Sequence, residues 1–188
     1  MTGNAKVTIA LEGQSDLAIV KALLPSAFIN ACKFLVTDGR STLVSVARTF
    51  LIKHHLPIAI MLDTDTMDPA SIAEIVRTTR HLMGSVAGQT PFDTIYCTPH
   101  VEMIFFDKDI DLRKYFPEFE NVFILPFALT QPKAQLQVLF ERGGGPADLN
   151  GLLAQLTKED IRKLRSKYPI QHLMAFISNN TDAAVLAS

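Results

Sequence analysis

The strongest constraint on the fold is an alternation of short apolar runs with longer helical segments over the first 100 residues. The apolar runs lack a polar residue at every second position, which is typical of strands covered on both faces. Parallel strands joined by helices produce this pattern. We therefore expect an α/β fold with a mostly parallel, Rossmann-type sheet and helices on both faces. The four predicted strands lie at residues 6–11, 34–37, 58–62 and 94–98.

The second half of the chain is less regular and mainly helical. Asp68 followed by Pro69 predicts the start of a helix, with an N-cap and a proline at the first helical position. The run at 122–125 predicts a fifth strand at the sheet edge. Further helices are predicted at 133–142, 147–156, 158–167 and 169–177. We expect an α/β domain over 1–130 and a helical C-terminal extension over 131–188, packed on the same domain.

Composition excludes several classes of protein. Of the 188 residues, 48% are hydrophobic and 20% are charged, which excludes a disordered or fibrous chain. Two cysteines cannot form a disulfide framework or a four-cysteine zinc site, which indicates a reducing, cytoplasmic location. No apolar run approaches the roughly 20 residues that span a bilayer, so we expect no membrane contact. The N-terminal segment is predicted to be a strand, not a signal peptide.

Acidic residues follow three of the predicted strands. Glu12 ends the first strand and Asp16 lies four residues later, Asp63 and Asp65 end the third, and Glu102 lies just after the fourth. Two ionised carboxylates about 4 Å apart repel by roughly 4 kcal/mol at an effective dielectric constant of 20. Such a group of acids requires a proton or a cation. Oxygen ligands favour Mg²⁺ or Mn²⁺ over zinc, which predicts a site suited to phosphate chemistry.

Two short motifs at these positions resemble a known domain. The sequence Leu-Glu-Gly-Gln-Ser-Asp at 11–16, followed about fifty residues later by Leu-Asp-Thr-Asp at 62–65, resembles the TOPRIM domain of topoisomerases, primases and OLD-type or standalone nucleases. The resemblance covers residues 5–106, just over half of the chain. Asp16 and the Pro-x-x-Glu motif that ends at Glu102 are closest to the OLD-type branch, in which additional acids support a second metal ion.

The resemblance implies a Mg²⁺-dependent (or Mn²⁺-dependent) nuclease. It implies that Asp63 and Asp65 bind the metal, that Glu12 binds metal or acts as general acid or base, and that Asp16 and Glu102 serve a second ion. Residues 66–69, Thr-Met-Asp-Pro, differ from the proline- and glycine-rich turn of the ribosomal-RNA-maturing TOPRIM ribonucleases, which favours DNA over RNA. The resemblance to OLD-type proteins also implies a separate ABC/SMC-like ATPase partner in defence or repair. We further expect a homo-oligomer.

A phosphate substrate also requires positive groups. Our candidates near the acids are Arg40 and Lys133. The net charge of −1 gives no support for nucleic-acid binding, but residues 158–167 contain five basic and two acidic residues. That segment predicts either a solvated helix face or a helix that follows a phosphate backbone. Its candidates are Lys158, Arg162 and Arg165.

Other chemistries have less support in the sequence. The string at 12–16 is not a nucleophile elbow, so Ser15 is predicted to cap a helix. His100 lies close enough to Glu102 to be an additional site candidate. Two alternatives to a nuclease stay open: a catalytically silent module that binds metal or nucleotide and acts through protein contacts, and a phosphatase that uses the same acids.

Overall fold

Four parallel strands form the sheet in the computed structural model, which describes residues 6–182. In chain order the strands are β1 (Val7–Leu11), β2 (Cys32–Val36), β3 (Ile58–Asp63) and β4 (Phe92–Cys97). Their order across the sheet is β2-β1-β3-β4. The predicted α/β class and the parallel sheet are therefore confirmed. The predicted domains cover residues 1–130 and 131–188. Residues 1–5 of the first and 183–188 of the second lie outside the described part of the chain.

Helices connect the strands, and most of the described chain after β4 is helical as well. Between the strands lie α1 (Gln14–Leu23), α2 (Ser26–Ala31), α3 (Arg40–His54) and α4 (Pro69–Ala87). Two 3-10 helices, Val101–Phe106 and Leu112–Lys114, follow β4. The remaining helices are α5 (Phe119–Val122), α6 (Leu125–Thr130), α7 (Pro132–Arg142), α8 (Leu149–Gln155), α9 (Lys158–Arg165) and α10 (Tyr168–Asn179). None of the helices within residues 6–182 is both long and apolar enough to cross a membrane.

Two hydrophobic cores cover the two faces of the sheet. Alternate residues of a strand face opposite sides, so Ile9 and Met61 enter one core while Ala10 and Ile60 enter the other. The first core contains side chains of α1 and of the C-terminal helices α7 to α10, and the second contains α3 and α4. β1 and β3 are buried along their whole length, which explains why their residues are apolar except for Thr8 and the terminal Asp63.

Of the two predicted helix N-caps, the one at Asp68 is confirmed and the one at Ser15 is wrong. Asp68 caps α4 as predicted, since its Oδ2 accepts a hydrogen bond of 2.8 Å from the backbone N–H of Ser71, and Pro69 is the first residue of that helix. The prediction for Ser15 is wrong, because α1 begins at Gln14 and its N-cap is Gly13. The hydroxyl of Ser15 lies 3.3 Å from Asp16 Oδ1 instead.

The predicted fifth strand at 122–125 is not present. Val122 ends α5 and Leu125 begins α6. The completely buried Gln135 of α7 satisfies the backbone between them: its amide nitrogen donates to the Val122 carbonyl (3.2 Å), and its Oε1 accepts from the Ile124 N–H (3.1 Å). A side chain thus supplies the partners that a neighbouring strand would have supplied, so this apolar segment needs no place in the sheet.

We predict that Gln135→Ala lowers the free energy of unfolding by about 1–3 kcal/mol, because it leaves two backbone groups unpaired. The matched control is Gln137→Ala, an exposed glutamine on the same helix that bonds to Glu141. Surface substitutions of this kind change stability by less than about 0.5 kcal/mol. Urea denaturation of the three proteins tests this, and equal midpoints for the two variants would contradict it.

A candidate metal centre at the carboxyl ends of the strands

The sheet register brings the predicted acids to one edge. Ala10 of β1 pairs with Ile60 of β3, and Asp63 at the end of β3 pairs with Cys97 at the end of β4. All of these strands are parallel, so the segments that follow them leave the sheet at the same edge. Glu12 follows β1 directly, and Glu102 lies in the 3-10 helix after β4. Strand pairing therefore explains why residues far apart in sequence meet.

The two aspartates at the end of β3 have different surroundings. The Asp63 carboxyl group is buried, whereas the Asp65 side chain is 50% exposed. Asp65 has a left-handed backbone with φ of 54°, and its N–H donates to the Pro99 carbonyl at 3.0 Å. The chain has thus left the extended conformation in which residues two apart, such as these, would point to the same side. The two carboxylates nevertheless come together, around His100.

Asp63, Asp65 and His100 form a group that can hold a metal ion. One ligand atom from each residue lies within 4.8 Å of the others. His100 Nε2 is 3.1 Å from Asp65 Oδ1, and within the described chain its buried Nδ1 has no hydrogen-bond partner. The sequence indicated His100 only through its nearness to Glu102. Its place in the cluster depends on the backbone contacts between the segments after β3 and β4, for which the sequence has no clear pattern.

Glu12 lies beside this group. Its pKa is raised, first because the carboxyl group is partly buried and then because the negative charges of Asp63 and Asp65 are close. The backbone amide of Asp63 and the charge of Arg40 act in the opposite direction. Glu12 Oε2 is buried without a hydrogen-bond partner among residues 6–182. An orphaned, buried carboxylate oxygen in an acidic cluster is suited to bind a cation.

Asp16 and Glu102 complete the set of five predicted acids. Burial, followed by the charge of Asp63, raises the pKa of Asp16 to about 6. Burial also raises the pKa of Glu102 to about 7, and the charge of Lys133 opposes both shifts. Glu102 Oε2 is a second buried oxygen for which the described residues offer no partner. The structure therefore brings all five acids into one electrostatically coupled cluster.

Two of the predicted phosphate-binding cations lie in this cluster. Lys133 Nζ is 2.6 Å from Asp63 Oδ2, and Arg40 is 2.8 Å from Asp65 Oδ2. Burial acts to lower the pKa of Lys133, but the hydrogen bond to Asp63 and the nearby acids outweigh it, so the pKa is raised. The other oxygen of Asp63 accepts from the N–H of Val101 at 3.0 Å. These ion pairs offset part of the repulsion among the acids.

The three cations predicted on the basic helix are not brought into the cluster. Lys158, Arg162 and Arg165 are all on α9, and Lys158 and Arg162 are exposed. Arg165 donates to the carbonyl of Leu23, the last residue of α1. The acidic site lies at the other end of α1, about 14 Å away along the helix. α9 therefore packs on the part of α1 that is far from the acids.

Two cavities open on the acidic cluster from different sides. A cleft of about 770 Å³ between α3 and α4 is lined by Glu12, Arg40 and Asp65, among others. A smaller cavity of about 240 Å³ is lined by Glu102 and Lys133 together with residues of α7 and α8. Glu12 and Asp65 thus face a cleft large enough for a ligand bigger than a metal ion, and Glu102 faces the smaller cavity, whereas Asp16 and Asp63 are buried and line neither.

Comparison of the chain with protein-family models, with curated proteins and with solved structures finds no match. The resemblance to the TOPRIM domain therefore stays a prediction that rests on the motifs at 11–16 and 62–65. The structure itself shows that Asp63, Asp65 and His100 form a group that can hold a metal ion beside an open cleft, with the orphaned oxygens of Glu12 and Glu102 in the surrounding acidic cluster.

We predict that the metal-free protein loses stability as the pH rises from about 4.5 to about 7. The pKa of Glu102 is higher in the folded protein than the ordinary 4.5, so the stabilisation by its neutral form is complete below 4.5 and is lost as the pH passes 7. Glu102→Gln should therefore raise the free energy of unfolding at pH 8 by up to about 3 kcal/mol and weaken the pH dependence. Thermal melts in chelator at several pH values measure both effects.

The control for this prediction is Glu120→Gln, since Glu120 has a side chain that is 76% exposed. This variant should melt like the wild-type protein at every pH. A Glu102→Gln protein that is no more stable than wild type at pH 8 would show that burial of this carboxylate costs nothing.

Proposed function

We propose that this protein is a Mg²⁺-dependent or Mn²⁺-dependent nuclease that hydrolyses phosphodiester bonds, in DNA rather than RNA. The observation that carries the proposal is the convergence of five carboxylates and two cations at the carboxyl ends of β1, β3 and β4. Ligand sites of parallel α/β sheets lie at this edge. An acidic cluster beside basic side chains suits a metal ion together with the phosphate that it activates.

The residues present fit a hard divalent cation. Among residues 6–182, one buried oxygen of Glu12 and one of Glu102 lack the hydrogen-bond donor that a buried carboxylate requires. Asp63, Asp65 and His100 would hold the ion, and the carboxylate-rich donor set favours Mg²⁺ or Mn²⁺. When bound, such an ion polarises a phosphate oxygen and lowers the pKa of water. Glu102 and Asp16 are the candidates for a second ion.

The side chains of this chain supply the remaining functions. Arg40 and Lys133 flank the acids on opposite sides of the Asp63–Asp65 pair, where they can bind the non-bridging oxygens of a phosphodiester. Glu12 has a raised pKa and lines the open cleft, so it can accept the proton of the attacking water. The leaving oxygen requires a proton donor, and the raised pKa of Glu102 suits it to that role in a site with one ion, where Glu102 is not a metal ligand.

One observation favours the catalytically silent binding module as a second candidate. Lys133 and Arg40 already neutralise Asp63 and Asp65 without an ion, and the cations of α9 lie elsewhere. A protein that binds metal or nucleotide without cutting it would have the same ion pairs. An ABC/SMC-like ATPase partner, homo-oligomers and a cytoplasmic location stay predictions that neither candidate requires.

We predict that purified protein nicks plasmid DNA with Mg²⁺ or Mn²⁺, and that Asp65→Asn lowers the rate by about 100-fold or more. Loss of a residue that only supports a metal ligand already costs 10–100-fold, and loss of the ligand should cost at least as much. Asp109→Asn is the matched control, because Asp109 is equally exposed (50%) and ion-paired to Lys167 outside the site. Gel assays of the three proteins give the rates.

Metal binding is measured on the same proteins by the shift in melting temperature on adding Mn²⁺. A shift in wild type and Asp109→Asn that is absent in Asp65→Asn, with no nicking by any protein, would favour the silent module. Equal nicking by all three proteins would contradict the proposed nuclease site, and cleavage of small phosphate monoesters alone would indicate a phosphatase.

A further inference from the structure

The cleft of about 770 Å³ has two distinct walls beyond the acids. α3 contributes Arg40, Val44 and Arg48, which lie four residues apart and therefore on one face of the helix. α4 contributes an opposite wall with a repeated spacing of four residues, namely Glu74, Thr78 and Leu82. One end of the cleft is closed by Glu12 and Asp65, so the cleft leads into the proposed metal centre.

Arg48 is the feature of this cleft that the acidic site does not explain. It is half-buried two helical turns beyond Arg40, about 12 Å along the α3 axis. Its Nε is completely buried, and residues 6–182 provide it with no hydrogen-bond partner. A buried guanidinium N–H without an acceptor is destabilising. If the guanidinium turns towards the cleft, an anionic ligand bound there supplies the acceptor that is missing.

The cleft also offers surfaces for the neutral part of such a ligand. Val44, Ile75 and Leu82 provide aliphatic contacts, and Ser45 and Thr78 provide hydroxyl groups. The volume is within the usual range of ligand pockets, about 300–1,000 Å³. A nucleotide combines a phosphate for Arg48 with a base and a sugar for the aliphatic and hydroxyl-bearing walls. Inorganic phosphate alone would leave the aliphatic walls unused.

We propose that the cleft between α3 and α4 binds the nucleotide next to the phosphodiester that is cleaved, with Arg48 on its outer phosphate. This rests on the proposed nuclease function.

Calorimetry with thymidine 3′,5′-bisphosphate tests the site, because this ligand has two phosphates and no phosphodiester bond to cleave. Arg48→Gln should weaken its binding at least about tenfold, since a charge-assisted contact to phosphate is lost. Thr78→Phe, at an exposed position on the opposite wall, should block the cleft and weaken binding similarly without touching Arg48. The control is Arg142→Gln at the exposed end of α7, which should bind like wild type.

Two further ligands complete the test. Inorganic phosphate and thymidine should each bind more weakly than the bisphosphate. Unchanged bisphosphate affinity in both cleft variants, or phosphate that binds as tightly as the bisphosphate, would overturn the proposal.

The two proposals fail in different ways. If the bisphosphate binds through Arg48 but no DNA is cut with any metal, the nuclease function fails and the cleft is the nucleotide site of a silent module. If DNA is cut but Arg48→Gln and Thr78→Phe bind and cut like wild type, the nuclease function holds and the cleft proposal fails.

Discussion

Repulsion among carboxylates gathered at one edge of a buried sheet is the interaction on which the functional interpretation depends. Burial raises the pKa values of Glu12, Asp16 and Glu102, and the charge of Asp63, itself buried at the end of β3, adds to each shift. A fold selected for stability alone would not collect these groups, because each one is penalised by burial and by its neighbours. Their presence at the ligand-binding edge of the sheet is what points to a bound cation.

The fold tolerates this cluster because the strands beneath it are rigidly held. β1 and β3 are buried on both faces, between a core that includes α1 and α7 to α10 and a core formed by α3 and α4. Lys133 reaches Asp63 from α7, and Arg40 reaches Asp65 from α3. Helices on both sides of the sheet therefore each contribute a cation to the same site. The C-terminal helices are part of the site through Lys133 and do not merely cover one face of the sheet.

The sequence was most informative where local pattern and tertiary packing agree. β1 and β3 are buried on both faces and are almost wholly apolar, and the less buried β2 and β4 are short β-rich runs between helices, so the four strands were identifiable. The acids after the strands followed from parallel pairing. The prediction of a strand at 122–125 is wrong because this segment is as apolar as a strand. Its backbone forms hydrogen bonds with the side chain of Gln135, which the local sequence does not reveal. α2 was missed because Ser26–Ala31 is short and has no side-chain cap.

The site was predictable in its acids but not in its details. Glu12, Asp63 and Asp65 could be located from strand ends, whereas the role of His100 depends on how two loops pack after β3 and β4. The cleft with Arg48 could not be predicted, because a spacing of four residues on an amphipathic helix is equally typical of a solvated face. The sequence also did not show which of the five candidate cations lie near the acids. Of these five, only Arg40 and Lys133 contact the acids of the cluster.

The most direct measurement is a crystal structure of the protein soaked in Mn²⁺, with the metal located by anomalous scattering. A peak within coordination distance of Asp63 and Asp65, with Glu12 or His100 turned towards it, is the expected result. The absence of a peak at saturating Mn²⁺, or a peak only at acids elsewhere on the surface, would show that Lys133 and Arg40 alone balance these carboxylates and that this edge of the sheet does not bind a divalent cation.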